Sequence, residues 1–220
     1  MRVPALYIIT NRRLTEGRPL VDTLARALEG AADAGVSPGT VAVQLREKDL
    51  ETRAVVDLAR SLRALTTAFG AALYINDRVD VALAVGADGV HLTGTSMAPD
   101  DVRAIAPALS VAVSAHGRAD LERTSHDANV RFAVLGPIFD TPDKRRFGPP
   151  LGLAALAAAT GLPRPLPVLA IGGITVENLS ACLASGAAGV AVIRAILGAA
   201  DPKKIAFWFS KSILERGRTH

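Results

Sequence analysis

The stretch Ala72–Leu92, ALYINDRVDVALAVGADGVHL, holds one complete structural unit. Ala72–Asp77 is a short apolar run that ends on the polar pair Asn76-Asp77. Val79–Val85 is rich in Ala, Val and Leu and predicts a helix, which Gly86 would end. Gly89–Leu92 is a second apolar run. Two β-like runs joined by a helix read as a parallel βαβ unit. The pattern extends in both directions. β-like runs stand at Ala5–Thr10, Thr40–Arg46, Ala72–Asp77, Gly89–Leu92, Ser110–His116, Phe132–Phe139, Pro167–Ile174 and Gly189–Ile196. Helices are predicted at Leu20–Gly35, Glu51–Phe69, Val79–Val85, Pro99–Ile105, Arg118–Ser125, Pro150–Ala159, Val176–Ser185 and Pro202–Leu214. Pro99, Pro150 and Pro202 suit first-turn positions. Ala84–Val90 (AVGADGV) and Ala184–Val190 (ASGAAGV) are near copies, as repetition of one βα unit would leave.

Eight strands alternating with helices predict an α/β protein whose parallel sheet closes on itself. The expected architecture is a single (β/α)8 TIM barrel spanning residues 1–220 as one domain. The chain of 220 residues is short for this fold, which typically takes about 250, so its loops must be tight. The longest connection without regular structure is Asp140–Pro149 (DTPDKRRFGP), after the sixth strand. It reads either as a solvated charged loop or as a lid over a charged substrate.

Half the residues are apolar and few are aromatic, so Ala, Val, Leu and Ile build the core. The net charge of +4 comes from scattered arginines, with no basic run carrying interleaved aromatics. That argues against nucleic acid as a partner and leaves phosphorylated small molecules as the expected one. No run is long enough to span a bilayer and no charged-then-apolar leader precedes the first strand. A soluble cytoplasmic protein without membrane contact is expected, and a homo-oligomer is left open. The lone Cys182 excludes an internal disulfide and reads as a packing residue. Phe207, Trp208 and Phe209 near the C-terminus are expected to dock on the barrel's own helices.

Barrels of this class carry their chemistry at the C-terminal ends of the strands. In strand two, TVAVQLREK, alternation sends Val41, Val43 and Leu45 toward the helices. Ala42, Gln44, Arg46 and, if the strand extends, Lys48 share the inner face. Inward polar groups are costly without a ligand, and Arg clamps anions through two hydrogen bonds, so this column reads as a polyanion site. The competing reading is that Glu47 and Asp49 pair with these bases. Strand three ends in Asn76-Asp77, either a Mg²⁺ and substrate site or, through Asp77, a helix N-cap. On strand five Ser114 and His116 share a parity that allows both to face inward; His116 is either a proton carrier or a residue that caps the next helix or bonds backbone. His91 reads as structural. In Ile171-Gly172-Gly173-Ile174 the glycines let backbone approach a ligand, and with Ile193-Arg194 they form the expected phosphate cradle after strands seven and eight. The alternative for the glycines is tight packing alone.

The combination LYIIT, QLREK, INDRVDVALAVGADGVHL, VSAH, LGPIFDTPDK, VLAIGGIT and GVAVIRAI resembles the thiamine-phosphate synthase family over nearly the whole chain, in order. The resemblance implies joining of hydroxymethylpyrimidine diphosphate to thiazole phosphate with release of pyrophosphate, with Mg²⁺ as cofactor. It implies that Gln44, Arg46, Lys48 and Asn76 hold the diphosphate end, that Asp77 is a Mg²⁺ ligand and that Ser114 lies at the pyrimidine. It also implies lid contacts to diphosphate from Thr141 and Lys144, and a thiazole phosphate held at Gly173, Ile193 and Arg194. Three positions depart from the family pattern: Ser96 stands where a second acidic ligand is usual, Asp143 where the lid has a second Thr, and Arg194 where Ser is common. HLTGTSMAP is also similar to the related thiazole tautomerases, in which a His at the end of strand five moves a proton, as His116 would. Synthase, tautomerase and a non-catalytic thiazole-phosphate binder therefore all remain open at this point.

Overall fold

The computed structural model describes residues 2–142, 145, 148–162 and 166–217. Eight parallel strands close into a barrel in chain order: β1 (Leu6–Ile9), β2 (Val41–Leu45), β3 (Ala72–Asn76), β4 (Gly89–Leu92), β5 (Ser110–Ala115), β6 (Val130–Leu135), β7 (Val168–Ile171) and β8 (Gly189–Val192). The helices are α1 (Leu20–Asp33), α2 (Thr52–Ala68), α3 (Val79–Val85), α4 (Pro99–Ile105), α5 (Arg118–Ser125), α6 (Gly152–Thr160), α7 (Val176–Ala184), α8 (Arg194–Leu197) and α9 (Pro202–Gly217). β1 pairs with both β2 and β8, which seals the ring. The barrel predicted from the sequence is therefore the observed fold.

Strand alternation sorts the core into two layers. Leu6, Ile8, Val41, Val43, Leu45, Leu73 and Ile75 face outward and pack under the helices. Tyr7, Ile9, Ala42, Ala72, Tyr74, Ala112, Phe132, Val134, Leu169 and Ala191 fill the interior. Tyr7, Tyr74 and Phe132 meet edge to face with ring centroids 5.5–5.6 Å apart, a preferred aromatic geometry. They close the barrel below its C-terminal rim. Tyr74 Oη donates to Ser110 Oγ at 3.1 Å, and burial raises its pKa to about 12. Cys182 is fully buried, as expected, and burial pushes its thiol up to about 11.

Several boundaries differ from the sequence reading. β8 ends at Val192, and Arg194–Leu197 turns into a short helix rather than continuing as strand. β6 runs Val130–Leu135, so Gly136–Phe139 is loop. α6 begins at Gly152, which leaves Pro150 ahead of its first turn. Phe209 docks fully into the core, whereas Trp208 stays 41% exposed. Among the described residues no helix is long and apolar enough to cross a membrane.

Candidate active site

Because every strand is parallel, the C-terminal ends of β2, β3, β5, β7 and β8 lie on one rim. β2 and β7 stand three strands apart around it, separated by β1 and β8. The groups read as an oxyanion pocket on strand two and as a cradle after strands seven and eight thus share one end of the molecule.

On the β2 side the ladder stops at Leu45 because the Arg46 N–H donates to the Thr10 side chain, Oγ1, at 2.8 Å. Gln44 is buried, and its Nε2 donates to Asn76 Oδ1 at 3.0 Å, joining the ends of β2 and β3. Its Oε1 is buried without a partner. An orphaned buried acceptor is costly. Arg46 is half-buried, and its guanidinium is in no hydrogen bond or ion pair with a described residue. Lys48 does not continue the strand column: it sits in an exposed turn beyond β2, because the chain leaves the ladder at Arg46. It too is unpaired among the described residues. The competing reading, in which Glu47 and Asp49 neutralise these cations, is not what forms. Glu47 Oε2 lies 3.0 Å from Arg12, and Asp49 lies 2.6 Å from both Arg12 and Arg13.

Asp77 follows β3 with φ +67°, a left-handed backbone that Asp tolerates better than most side chains. Its N–H donates to the His91 carbonyl at 2.9 Å, and its exposed carboxylate is in no ion pair or hydrogen bond with a described residue. It does not cap α3, whose N-cap is Arg78 with no side-chain cap. Among the described residues no group of three or more His, Cys, Asp or Glu gathers as a metal site. Ser96 is turned in on its own loop, where its Oγ accepts from the Thr93 N–H at 2.7 Å. Among the described residues, Asp77 is thus a rim carboxylate left without a partner. A single carboxylate fits Mg²⁺ that arrives with phosphate oxygens and water as its other ligands.

His91 was read as structural, and it is buried, but it also links two site elements. Nε2 lies 2.9 Å from Ser114 Oγ, and Nδ1 lies 3.3 Å from Tyr7 Oη. Burial, and then the charge of Arg46, push its pKa down to about 3, so the ring is neutral. Sequence reasoning passed over this contact, although alternation could have found it: Val90 and Leu92 face outward, so His91 must face in. His116 lies beyond the strand that carries Ser114. β5 ends at Ala115, and His116 is exposed, with its main-chain N–H donating to Asp120 Oδ2 at 2.8 Å and Nδ1 3.4 Å from the Gly136 carbonyl. Its ring meets backbone, which was one half of its alternative; it does not cap α5, whose N-cap is Gly117.

The β7–β8 side is built from backbone. Gly172 and Gly173 have φ +97° and +64°, the region that favours glycine. A Cβ on Gly172 would stand 2.6 Å from Pro137, and one on Gly173 2.7 Å from Phe139. The glycines therefore do serve tight packing, against the root of the Asp140–Pro149 loop. Asn178 holds the turn by donating from Nδ2 to the Gly173 carbonyl at 2.8 Å while its Oδ1 accepts from the Thr175 N–H. The N–H groups of Gly172, Gly173 and Ile193 donate to no carbonyl of the described residues. Arg194 opens α8 and is exposed. In the loop Thr141 donates to the Phe139 carbonyl at 3.2 Å, and Arg145 pairs with Asp140. Lys144 and Asp143 lie outside the described residues.

A family model described as thiamine monophosphate synthase matches residues 6–196. The chain belongs to the thiamine monophosphate synthase family. The thiamine-phosphate synthase of Roseiflexus castenholzii is 43% identical over 201 residues, covering 90% of this chain and 83% of its own. That of Moorella thermoacetica is 39% identical over 197 residues, 89% of each chain. The solved thiamine phosphate pyrophosphorylase from Pyrococcus furiosus superposes with a TM-score of 0.82 at 34% identity, covering 96% of this chain and 95% of that one. Membership of the thiamine monophosphate synthase family gives this barrel the function of a thiamine-phosphate synthase, and with it the class of a transferase.

Proposed function

We propose that the rim joins hydroxymethylpyrimidine diphosphate to thiazole phosphate and releases pyrophosphate, with the diphosphate at Arg46 and Lys48 and the thiazole phosphate at the N–H groups of Gly172, Gly173 and Ile193. The observation that carries this reading is the pair of cations on one side of the rim and the amides on the other, neither set partnered among the described residues. Each set suits an oxyanion: the first by charge and fork geometry, the second by main-chain N–H groups that have no carbonyl partner among the described residues.

In the proposed reaction the bond between the pyrimidine's methylene carbon and the diphosphate oxygen breaks. The electron pair leaves with pyrophosphate, and the thiazole nitrogen supplies the pair for the new carbon–nitrogen bond. No protein nucleophile enters. Arg46 and Lys48, with Lys144, stabilise the charge that develops on the departing oxygens. Asp77 would hold a Mg²⁺ ion together with the diphosphate, and when bound that ion adds Lewis-acid stabilisation of the same charge. Gln44 has a different part in this reading. Its orphaned Oε1 would repel phosphate oxygens, so it suits an N–H donor on the aminopyrimidine ring, and Asn76 is left nearer the diphosphate. Ser114, held by neutral His91, faces the same ring.

The test is to give purified protein each substrate alone and both together, with and without Mg²⁺, and to follow pyrophosphate. Release only with both substrates and metal is expected. Metal-independent isomerisation of the non-aromatic thiazole carboxylate phosphate, lost in His116→Asn, would make the chain a tautomerase instead. Binding of thiazole phosphate with neither turnover would make it a binder.

A further inference from the structure

The segment Arg46-Glu47-Lys48-Asp49 alternates cation and acid. Flexible neighbours of opposite charge would readily neutralise one another, and an anion site built on such a segment needs something to stop that. The turn after β1 supplies it. Arg12 N–H donates to Glu47 Oε1 at 3.0 Å, and Arg12 Nη1 donates to Glu47 Oε2 at 3.0 Å. The same guanidinium grips Asp49 with both ends, Nη1 to Oδ1 at 2.6 Å and Nη2 to Oδ2 at 2.8 Å. Arg13 adds a further bond to Asp49 Oδ2 at 2.6 Å. The turn is itself fixed: Asn11 Oδ1 accepts from the Arg13 N–H at 3.2 Å, and Thr15 Oγ1 donates to the Arg12 carbonyl at 3.0 Å. Glu47 is buried in this arrangement, so its carboxylate is committed to Arg12. Only a planar fork can hold two carboxylates at once in this way.

We infer that Arg12 is a positioning residue of the anion site: it holds Glu47 and Asp49 off Arg46 and Lys48, so that these two cations stay open to the oxygens of a diphosphate. The inference rests on the reading of Arg46 and Lys48 as that site. Arg12 touches no reacting group and acts only through the two acids.

The experiment is calorimetric titration of the full chain with inorganic pyrophosphate and Mg²⁺. It uses wild type, Arg46→Ala, Arg12→Gln, Glu47→Gln/Asp49→Asn and the triple variant. Arg12→Gln is expected to weaken pyrophosphate about tenfold, and in the Glu47→Gln/Asp49→Asn background to change it by less than about twofold, since coupled sites lose their effect when the partner is gone. In turnover the KM for the diphosphate substrate rises while kcat stays within about twofold. A lost cation that acted only through its long-range field, or a merely structural arginine, would weaken binding equally in both backgrounds, and that result overturns the inference. Should Arg12→Gln fail to fold, Arg12→Lys replaces it, keeping the charge without the fork, with the same expectation in each background. Arg46→Ala separates the two levels. If it binds as wild type, the site reading falls and the inference with it. If it binds weakly while Arg12→Gln binds normally, only the inference falls.

Discussion

In the proposed reading the two sides of the rim would take anions in opposite ways. From β2 to β5 the groups are side chains: Gln44, Arg46, Asn76, Asp77, His91 and Ser114. At β7 and β8 they are main-chain amides exposed by Gly172, Gly173 and the Ile193 turn. A side-chain wall can be changed in charge without moving the backbone. An amide wall carries no removable group, and any added atom collides with its support. Chemistry and stability should therefore separate on the first side and stay joined on the second.

The largest expected effect tests that separation. Arg46→Ala should lower turnover by about 10²–10³, as loss of one preorganised charge-stabilising donor does, while thermal stability moves by less than about 0.5 kcal/mol. A large drop in melting temperature would break the comparison. Next comes Gly173→Ala, which adds a Cβ 2.7 Å from Phe139 at a positive φ. It should cost about 2–3 kcal/mol in chemical denaturation and weaken thiazole phosphate together with stability. Unchanged stability would mean that the amide wall is not braced as described.

The smallest effect sharpens the side-chain half through pH. His91 titrates near 3 in the fold, against about 6.5 in an unfolded chain. Below pH 6.5 the unfolded chain takes up a proton that the folded one refuses. This group therefore makes stability fall as pH drops from 6.5 toward 3 and leaves it level above 6.5. Between pH 6.5 and 5 the loss is about 2 kcal/mol. Urea midpoints across that range should show the slope in wild type and lose it in His91→Gln. Arg46→Ala should shrink it, because the arginine contributes to the shift.

How far the sequence disclosed this arrangement depends on the range of the forces involved. The barrel was legible because alternation and βα spacing are local: Val41, Val43 and Leu45 outward and Ala42 and Gln44 inward follow from parity alone. The same parity failed at strand ends. Lys48 and His116 were carried along strands that stop at Leu45 and Ala115. The stop at Leu45 is imposed by Thr10, the residue after β1, whose side chain takes the place of a ladder bond. No pattern within residues 40–48 reports that. Arg12 was invisible for the same reason, since its partners lie more than thirty positions away. Of the two readings of the glycines after β7, the packing against Pro137 and Phe139 is what the structure shows, and the approach to a ligand belongs to the proposed function.

The three interlocked rings of Tyr7, Tyr74 and Phe132 have a kinetic corollary. They make the barrel a cup with a sealed base, so both reactants and both products must pass through a single doorway. Loading and unloading then compete for the same opening. The order in which the heterocycles enter fixes which product is trapped behind the other, and a slow departure of either one throttles the whole cycle.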